Sequence, residues 1–142
     1  MRAAVVDEAR RWIGTPYLHQ GSVRGAGADC LGLVRGVWRA VVGPEPVPVP
    51  PYAPDWSEPH RDERLWRNAA RFLIPLTPAP PEPGDVLLFR MRAASVAKHL
   101  AIATAPGRMV HAYAGHGVVE TALSAPWTCR LVARFAFPDG GQ

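Results

Sequence analysis

Ala28-Asp29-Cys30-Leu31-Gly32-Leu33-Val34 is the point where a glycine-rich loop runs into an apolar stretch with helical spacing. Upstream, Tyr17 to Gly27 carries three glycines and little periodicity, so it reads as a loop that delivers the chain to Cys30. Downstream, Cys30, Val34, Val37, Trp38 and Val41 fall on one helical face, and Gly43-Pro44 stops the helix. A thiol in the first turn meets the positive end of the helix dipole and several unpaired backbone N–H groups. Both favour thiolate over thiol, which is how a cysteine becomes a nucleophile. Asp29 sits one residue earlier, where an aspartate reads as an N-cap, with a substrate contact as the alternative.

Working outward, Val5, Val6, Ala9, Trp12 and Ile13 recur at helical intervals between Ala3 and Gly14, and Gly14-Thr15-Pro16 ends that run. Residues 44–59 hold seven prolines, which excludes an interior strand and predicts an extended wrap over the surface. Leu65, Trp66, Ala69, Phe72 and Leu73 mark a third helix, followed by a second proline-rich connector from Pro75 to Pro83. Beyond Gly84 the period becomes strand-like: Val86 to Phe89, Leu100 to Thr104, Met109 to Tyr113, Val118 to Thr121 and Leu131 to Phe137. Helices first and a small antiparallel sheet after them describe an α+β fold, taken here as a single domain over residues 1–142.

The Ala105-Pro106-Gly107 stretch suits a three-residue hairpin loop, which sets Thr104 opposite Arg108 and His111 opposite Ala101. His99 and His111 are then diagonal neighbours on one sheet face, with Cα atoms about 7–8 Å apart. An even-length loop would separate them, because one residue of slip turns every side chain over. The pair predicts a base and an orienting group aimed at the start of the Cys30 helix. His99 takes the thiol proton and returns it to a leaving amine, and His111 fixes the ring and tautomer of His99. The Cys30 backbone N–H and the Tyr17 hydroxyl are candidate oxyanion donors, although Tyr17 also reads as a core ring.

Bulk properties narrow the classes. With 48% hydrophobic residues in 142, the chain can bury a proper core. No apolar run approaches the roughly 18 residues of a membrane span, and the charged amphipathic start does not read as a signal peptide. The formal charge of +4 comes from arginines interspersed with Asp and Glu. No basic stripe interleaved with aromatics suggests nucleic acid. Cys30 and Cys129 read as free thiols, Cys129 as a bystander, and His19, His60 and His116 as solvated loop residues. Zinc on Cys30, His99 and His111 is chemically reasonable, but close ligand pairs are missing, so no metal or other cofactor is expected. Arg90, Arg92 and Lys98 form a basic loop that offers cations for substrate carboxylates or is simply a solvated hairpin tip.

Five motifs, Gly14-Thr15-Pro16-Tyr17, Asp29 to Val34, Pro83-Gly84-Asp85-Val86, His99-Leu100-Ala101-Ile102 and Gly107 to Ala112, resemble in order and spacing the NlpC family of cell-wall cysteine peptidases. Leu31 departs from the serine that many members carry. The resemblance implies a papain-like α+β fold and a Cys-His-His triad of Cys30, His99 and His111, with Tyr17 as an active-site hydroxyl. It also implies cleavage of peptidoglycan stem peptides, often between γ-D-glutamate and a diamino acid. His19-Gln20-Gly21-Ser22, Gly36-Val37-Trp38 and Phe89-Arg90-Met91-Arg92 are similar to the phage-tail and gene-transfer-agent subgroup. That likeness implies synthesis in the cytoplasm, incorporation beside tail or baseplate hub proteins, and action on a target cell's wall. The alternatives are an amidase or acyltransferase using the same thiol, and a catalytically silent piece of the tail hub.

Overall fold

A computed structural model describes residues 1–54 and 62–139. Helix α1 (Arg2–Arg11) buries Val5, Val6, Glu8 and Ala9, and Gly14 at φ +93° turns the chain away from it. The loop before Cys30 contains a feature its glycines concealed, a short hairpin of β1 (Ser22–Val23) and β2 (Gly27–Ala28). Helix α2 (Cys30–Val41) follows, N-capped by Asp29, whose Oδ1 accepts from the Gly32 N–H at 2.8 Å. Two glycines let α2 settle closely. A Cβ on Gly32 would lie 1.7 Å from the Gly21 carbonyl oxygen, and one on Gly36 would lie 2.0 Å from the Trp12 ring.

The proline-rich stretch contains neither helix nor strand from residue 44 to 54, and its remainder, 55–59, lies outside the described residues, as does His60. Helix α3 (Arg64–Phe72) then leads into a six-stranded antiparallel sheet. Its strands are β3 (Ile74–Pro75), β4 (Val86–Arg90), β5 (Ala97–Ala105), β6 (Arg108–Tyr113), β7 (Gly117–Ala122) and β8 (Leu131–Ala136), in the spatial order β3-β8-β4-β5-β6-β7. A four-residue helix, α4 (Ala125–Thr128), links β7 to β8. Strand β3 takes in Pro75, the first residue of the expected connector, which a sheet tolerates at its edge. Strand β5 begins earlier than its aliphatic core suggests, since Ala97, Lys98 and His99 carry no strand signal of their own.

The β5–β6 turn is tighter than expected. Ala105 pairs with Arg108 across a two-residue Pro106-Gly107 turn, with Gly107 at φ +74° as a type II turn requires. A bulge between Ala103 and Ala105 absorbs the extra residue, so Ile102 still faces Val110. The register at the histidines is therefore the expected one.

The sheet has two unlike faces. Val86, Leu88, Leu100, Ile102, Val110, Ala112 and Val118 pack against α1 and α2 through Val5, Ala9, Leu33, Val34 and Val37. Leu33 and Val37 are fully buried, each contributing about 1.5–3 kcal/mol of apolar burial. The other face holds a smaller cluster of Leu87, Phe89, Ala101, Ala103 and Met109, covered by Met91, Leu123, Trp127 and Leu131. Asp85, fully buried, locks the sheet to the first helix by pairing with Arg2 at 2.7 Å and Arg134 at 2.8 Å.

Candidate active site

Strand alternation sends His99 and His111 to the second face, beside Phe89 and Met109. The sequence expectation was that both rings would point at the start of the Cys30 helix. They share a face, but it is the one opposite that on which α2 packs. Cys30 comes from the helix-covered side and shares a cleft with His99 at the ends of β5 and β6. There a cleft of about 180 Å³ is lined by Tyr17, Asp29, Cys30, Tyr52, Lys98, His99 and Tyr113, among others.

The two imidazoles are directly linked, His99 Nε2 to His111 Nδ1 at 2.8 Å. The chain continues from His111 Nε2 to Thr121 Oγ1 at 3.0 Å. Trp127 of α4 clamps both rings, stacked on His99 at 5.3 Å and 29° and edge-on to His111 at 5.2 Å and 87°. Burial, then the charge of His111, pushes the His99 value down to about 3. Burial, then His116, pushes His111 down to about 4. Both rings are therefore neutral at neutral pH, each with one donor and one acceptor nitrogen.

Cys30 is 9% exposed, and its thiol donates to the Lys98 carbonyl at 3.7 Å. The backbone N–H groups of Leu100, Leu31 and Cys30 favour the thiolate, as expected of a helix start. Burial and the neighbouring Asp29 charge outweigh them and push the thiol up to about 12. Burial and Asp29 thus oppose the thiolate that the helix start favours.

Asp29 is 3% exposed, and both its oxygens are engaged. Oδ1 caps α2, and Oδ2 accepts from the Gln20 N–H at 2.7 Å and the Tyr52 hydroxyl at 2.5 Å. Tyr52 comes from the proline-rich stretch, and its carbonyl oxygen lies 2.9 Å from His19 Nε2. His19, read as solvated, is instead half-buried, with its ring edge-on to Tyr52 at 5.3 Å and Nδ1 3.7 Å from Asp29. His116 is exposed and stacks on Tyr113. Tyr17 reaches the cleft rim, with its ionisation pushed up by burial, then by Cys30 and Asp29. A larger apolar pocket of about 300 Å³ between α2, the proline-rich stretch and α3 meets the cleft at Tyr52.

The three basic residues expected to act together are separated. Lys98 lines the cleft. Arg90 is committed to Glu63 at 2.7 Å and to the Ser95 carbonyl, with its guanidinium 5.8 Å from the Trp66 ring centre. Arg92 is exposed on the turn after β4. Cys129 is exposed at the end of α4. Among the described residues, no group of three or more His, Cys, Asp or Glu is placed to hold a metal ion.

Tyr52, Thr121 and Trp127 went unnoticed in the sequence. Only Thr121 had an accessible signal: the Ala114-Gly115-His116 turn sets His111 opposite Val119, making Thr121 a diagonal neighbour on the same face.

Residues 14–135 match the NlpC/P60 family. The gamma-DL-glutamyl hydrolase of Bacillus subtilis (strain 168) is 30% identical over 120 residues, covering 84% of this chain and 25% of that protein. The chain therefore spans about a quarter of the length of that curated relative. The crystal structure of the NlpC/P60 domain of the peptidoglycan hydrolase SagA matches with a TM-score of 0.66 at 25% identity, covering 96% of this chain and 99% of that one. An NlpC/P60 family protein from Bacillus cereus ATCC 10987 shares the fold at 16% identity, with a TM-score of 0.65 over 94% of this chain and 39% of its own. With the family match running from the loop after α1 to the last strand, across the cysteine, both histidines and the cleft between them, the chain belongs to the NlpC/P60 family.

Proposed function

We propose that residues 1–142 act as one cysteine peptidase domain that hydrolyses peptide bonds in peptidoglycan stem peptides. The observation that carries the reading is the bond from His99 Nε2 to His111 Nδ1. It occupies one nitrogen of His99 and leaves Nδ1 for the thiol in the shared cleft. In this reading, an arriving peptide carbonyl displaces the Cys30 thiol from Lys98 O. Sγ then bonds to the carbonyl carbon as its proton passes to His99 Nδ1. The oxyanion is held by the Cys30 backbone N–H, with the Tyr17 hydroxyl as second donor. His99 returns the proton to the leaving amine, and the C–N bond breaks to give a Cys30 thioester. Water, deprotonated by the same ring, attacks that carbon and releases the acid and the thiol.

Three finer features belong to the same proposal. The bond cut joins γ-D-glutamate to a diamino acid, a reading supported by the glutamyl hydrolase among the relatives. Lys98 at the cleft wall supplies a cation for a substrate carboxylate. The setting is a phage-like or gene-transfer-agent tail, loaded from the cytoplasm and acting on the target cell's wall. The likeness of residues 19–22, 36–38 and 89–92 to that subgroup supports this setting.

Digestion of purified peptidoglycan, with fragments identified by mass, tests the reading. New amino termini on the diamino acid are expected, and they should be absent with Cys30→Ala. Release at the sugar–peptide amide would make the chain an amidase, and no release would leave a structural tail component. Detection of the chain in purified tail particles tests the setting.

A further inference from the structure

His111 is 1% exposed, and its outer nitrogen lies 3.0 Å from Thr121 Oγ1 of β7. Two neutral imidazoles joined by one hydrogen bond can share their two protons in only two ways. In the first, His99 carries its proton on Nε2 and donates to His111 Nδ1. His111 then carries its own proton on Nε2, and His99 Nδ1 is an open lone pair. In the second, His111 donates from Nδ1 to His99 Nε2, and His99 Nδ1 carries a proton and cannot accept another. Only the first arrangement can take the Cys30 proton, and it places a buried N–H on His111 Nε2. A buried N–H needs an acceptor, and Thr121 Oγ1 is the atom positioned to be one.

We infer that Thr121 is a positioning residue that sustains the base-competent tautomer of the His99–His111 pair by giving the buried His111 Nε2–H its acceptor; its hydroxyl can also donate to a bare Nε2, so it permits this tautomer and does not impose it. The inference deepens the proposed thiol mechanism and rests on it for the choice of His99 Nδ1 as the proton acceptor. It assigns Thr121 no contact with substrate. Its effect reaches the thiol through two rings, so it acts on the chemical step and leaves binding alone. Trp127 assists by holding both rings in register, but a tryptophan face has no lone pair for a ring N–H and cannot choose between the tautomers.

The test compares Thr121→Val, which keeps the shape and suits a strand, with Thr121→Ser, which keeps the acceptor. Long-range proton–nitrogen NMR of the histidine rings reads the tautomers without substrate. In the wild type, both His99 and His111 are expected to carry their protons on Nε2. In Thr121→Val, the Nδ1-protonated form of both rings should appear, while Thr121→Ser keeps the wild-type pattern. On a muropeptide, Thr121→Val should lower kcat roughly 10- to 100-fold with KM nearly unchanged, and Thr121→Ser should restore most of it. Wild-type tautomers in Thr121→Val, or equal losses in both variants, would overturn the inference. Because the NMR readout needs no cell-wall substrate, it stands even if Cys30→Ala proves fully active, an outcome that would remove the peptidase reading instead.

Discussion

The two faces of the central sheet are built from the same strands and do different work. On the helix-covered face, β5 and β6 present Leu100, Ile102, Val110 and Ala112 to α1 and α2, with Thr104 and Glu120 bonded to each other and to Arg10 of α1 beside this apolar contact. On the other face, the alternate residues of the same strands are His99, Ala101, Met109 and His111, roofed by the short α4 and its Trp127. Within the apolar part of a face covered by two long helices, an unpaired polar group would carry a heavy desolvation penalty. A thinly roofed face can hold polar groups provided that each is hydrogen-bonded, and the His99–His111–Thr121 chain meets that condition. Stability and chemistry are thereby divided between opposite sides of one sheet, and the strand ends, where Cys30 arrives, are where they meet.

The sharpest division is expected from a pair of substitutions. Cys30→Ala or His99→Ala should reduce peptidoglycan hydrolysis by about 10⁴-fold or more while the urea midpoint stays close to wild type. Leu33→Ala, on the helix-covered face, should remove about 2–5 kcal/mol of stability in urea titration, with turnover per folded molecule unchanged. A large stability loss in His99→Ala, or a large turnover loss in folded Leu33→Ala, would break the comparison.

Next in size is the roof. Trp127→Leu leaves the cluster apolar but uncovers His99, whose value is held down to about 3 chiefly by burial. Its value should climb toward the ordinary 6.5, so the acid limb of kcat/KM should move upward in pH, with about a tenfold loss at pH 5. An unmoved acid limb would show that the stack does not govern the base.

A third measurement concerns stability against pH. Both histidines have folded values below 6.5, about 3 for His99 and about 4 for His111. Between those values and 6.5 the unfolded chain binds more protons than the folded one, so the linked stability is present above 6.5 and lost as pH falls through about 4 for His111 and about 3 for His99. Tm should decline over that window, and His111→Asn, which keeps a hydrogen-bonding side chain without titrating, should make the decline shallower. The smallest effect belongs to Cys129→Ala. This exposed thiol should change stability by no more than about 0.5 kcal/mol and leave turnover at the wild-type level. The exposed Cys129 should also react with iodoacetamide ahead of Cys30 in the absence of substrate, because Cys30 is buried and its thiol is pushed up to about 12.

What was legible followed from local rules. The helix that opens at Cys30, its Asp29 cap and the aliphatic strands rest on periodicity and capping, each acting within a few residues, whereas the register joining His99 to His111 comes out as expected only because a bulge offsets a turn one residue shorter than the expected one. Elements without a local signal stayed hidden. Strand β3 ends in proline, the start of β5 lacks strand formers, and β8 enters between β3 and β4 only because the sheet closes over a long connection. The basic loop is instructive in the opposite sense. Arg90 and Lys98 are near in sequence, yet the twist and bulge between β4 and β5 send Arg90 to Glu63 and leave Lys98 at the cleft.

The amino-acid sequence by itself determined which residues carry the chemistry: a cysteine at a capped helix start and two histidines in phase on neighbouring strands. Spacing and side-chain type are properties of the chain alone. Only the tertiary structure decided the state of those groups. Burial and Asp29 push the thiol's ionisation up, burial on the sheet face opposite the helices pushes the imidazoles down, and Tyr52, Thr121 and Trp127 arrive from distant segments to brace the cleft. The physical reason is that ionisation and hydrogen-bond partnership depend on what surrounds a group in three dimensions, and that environment exists only once the chain has folded.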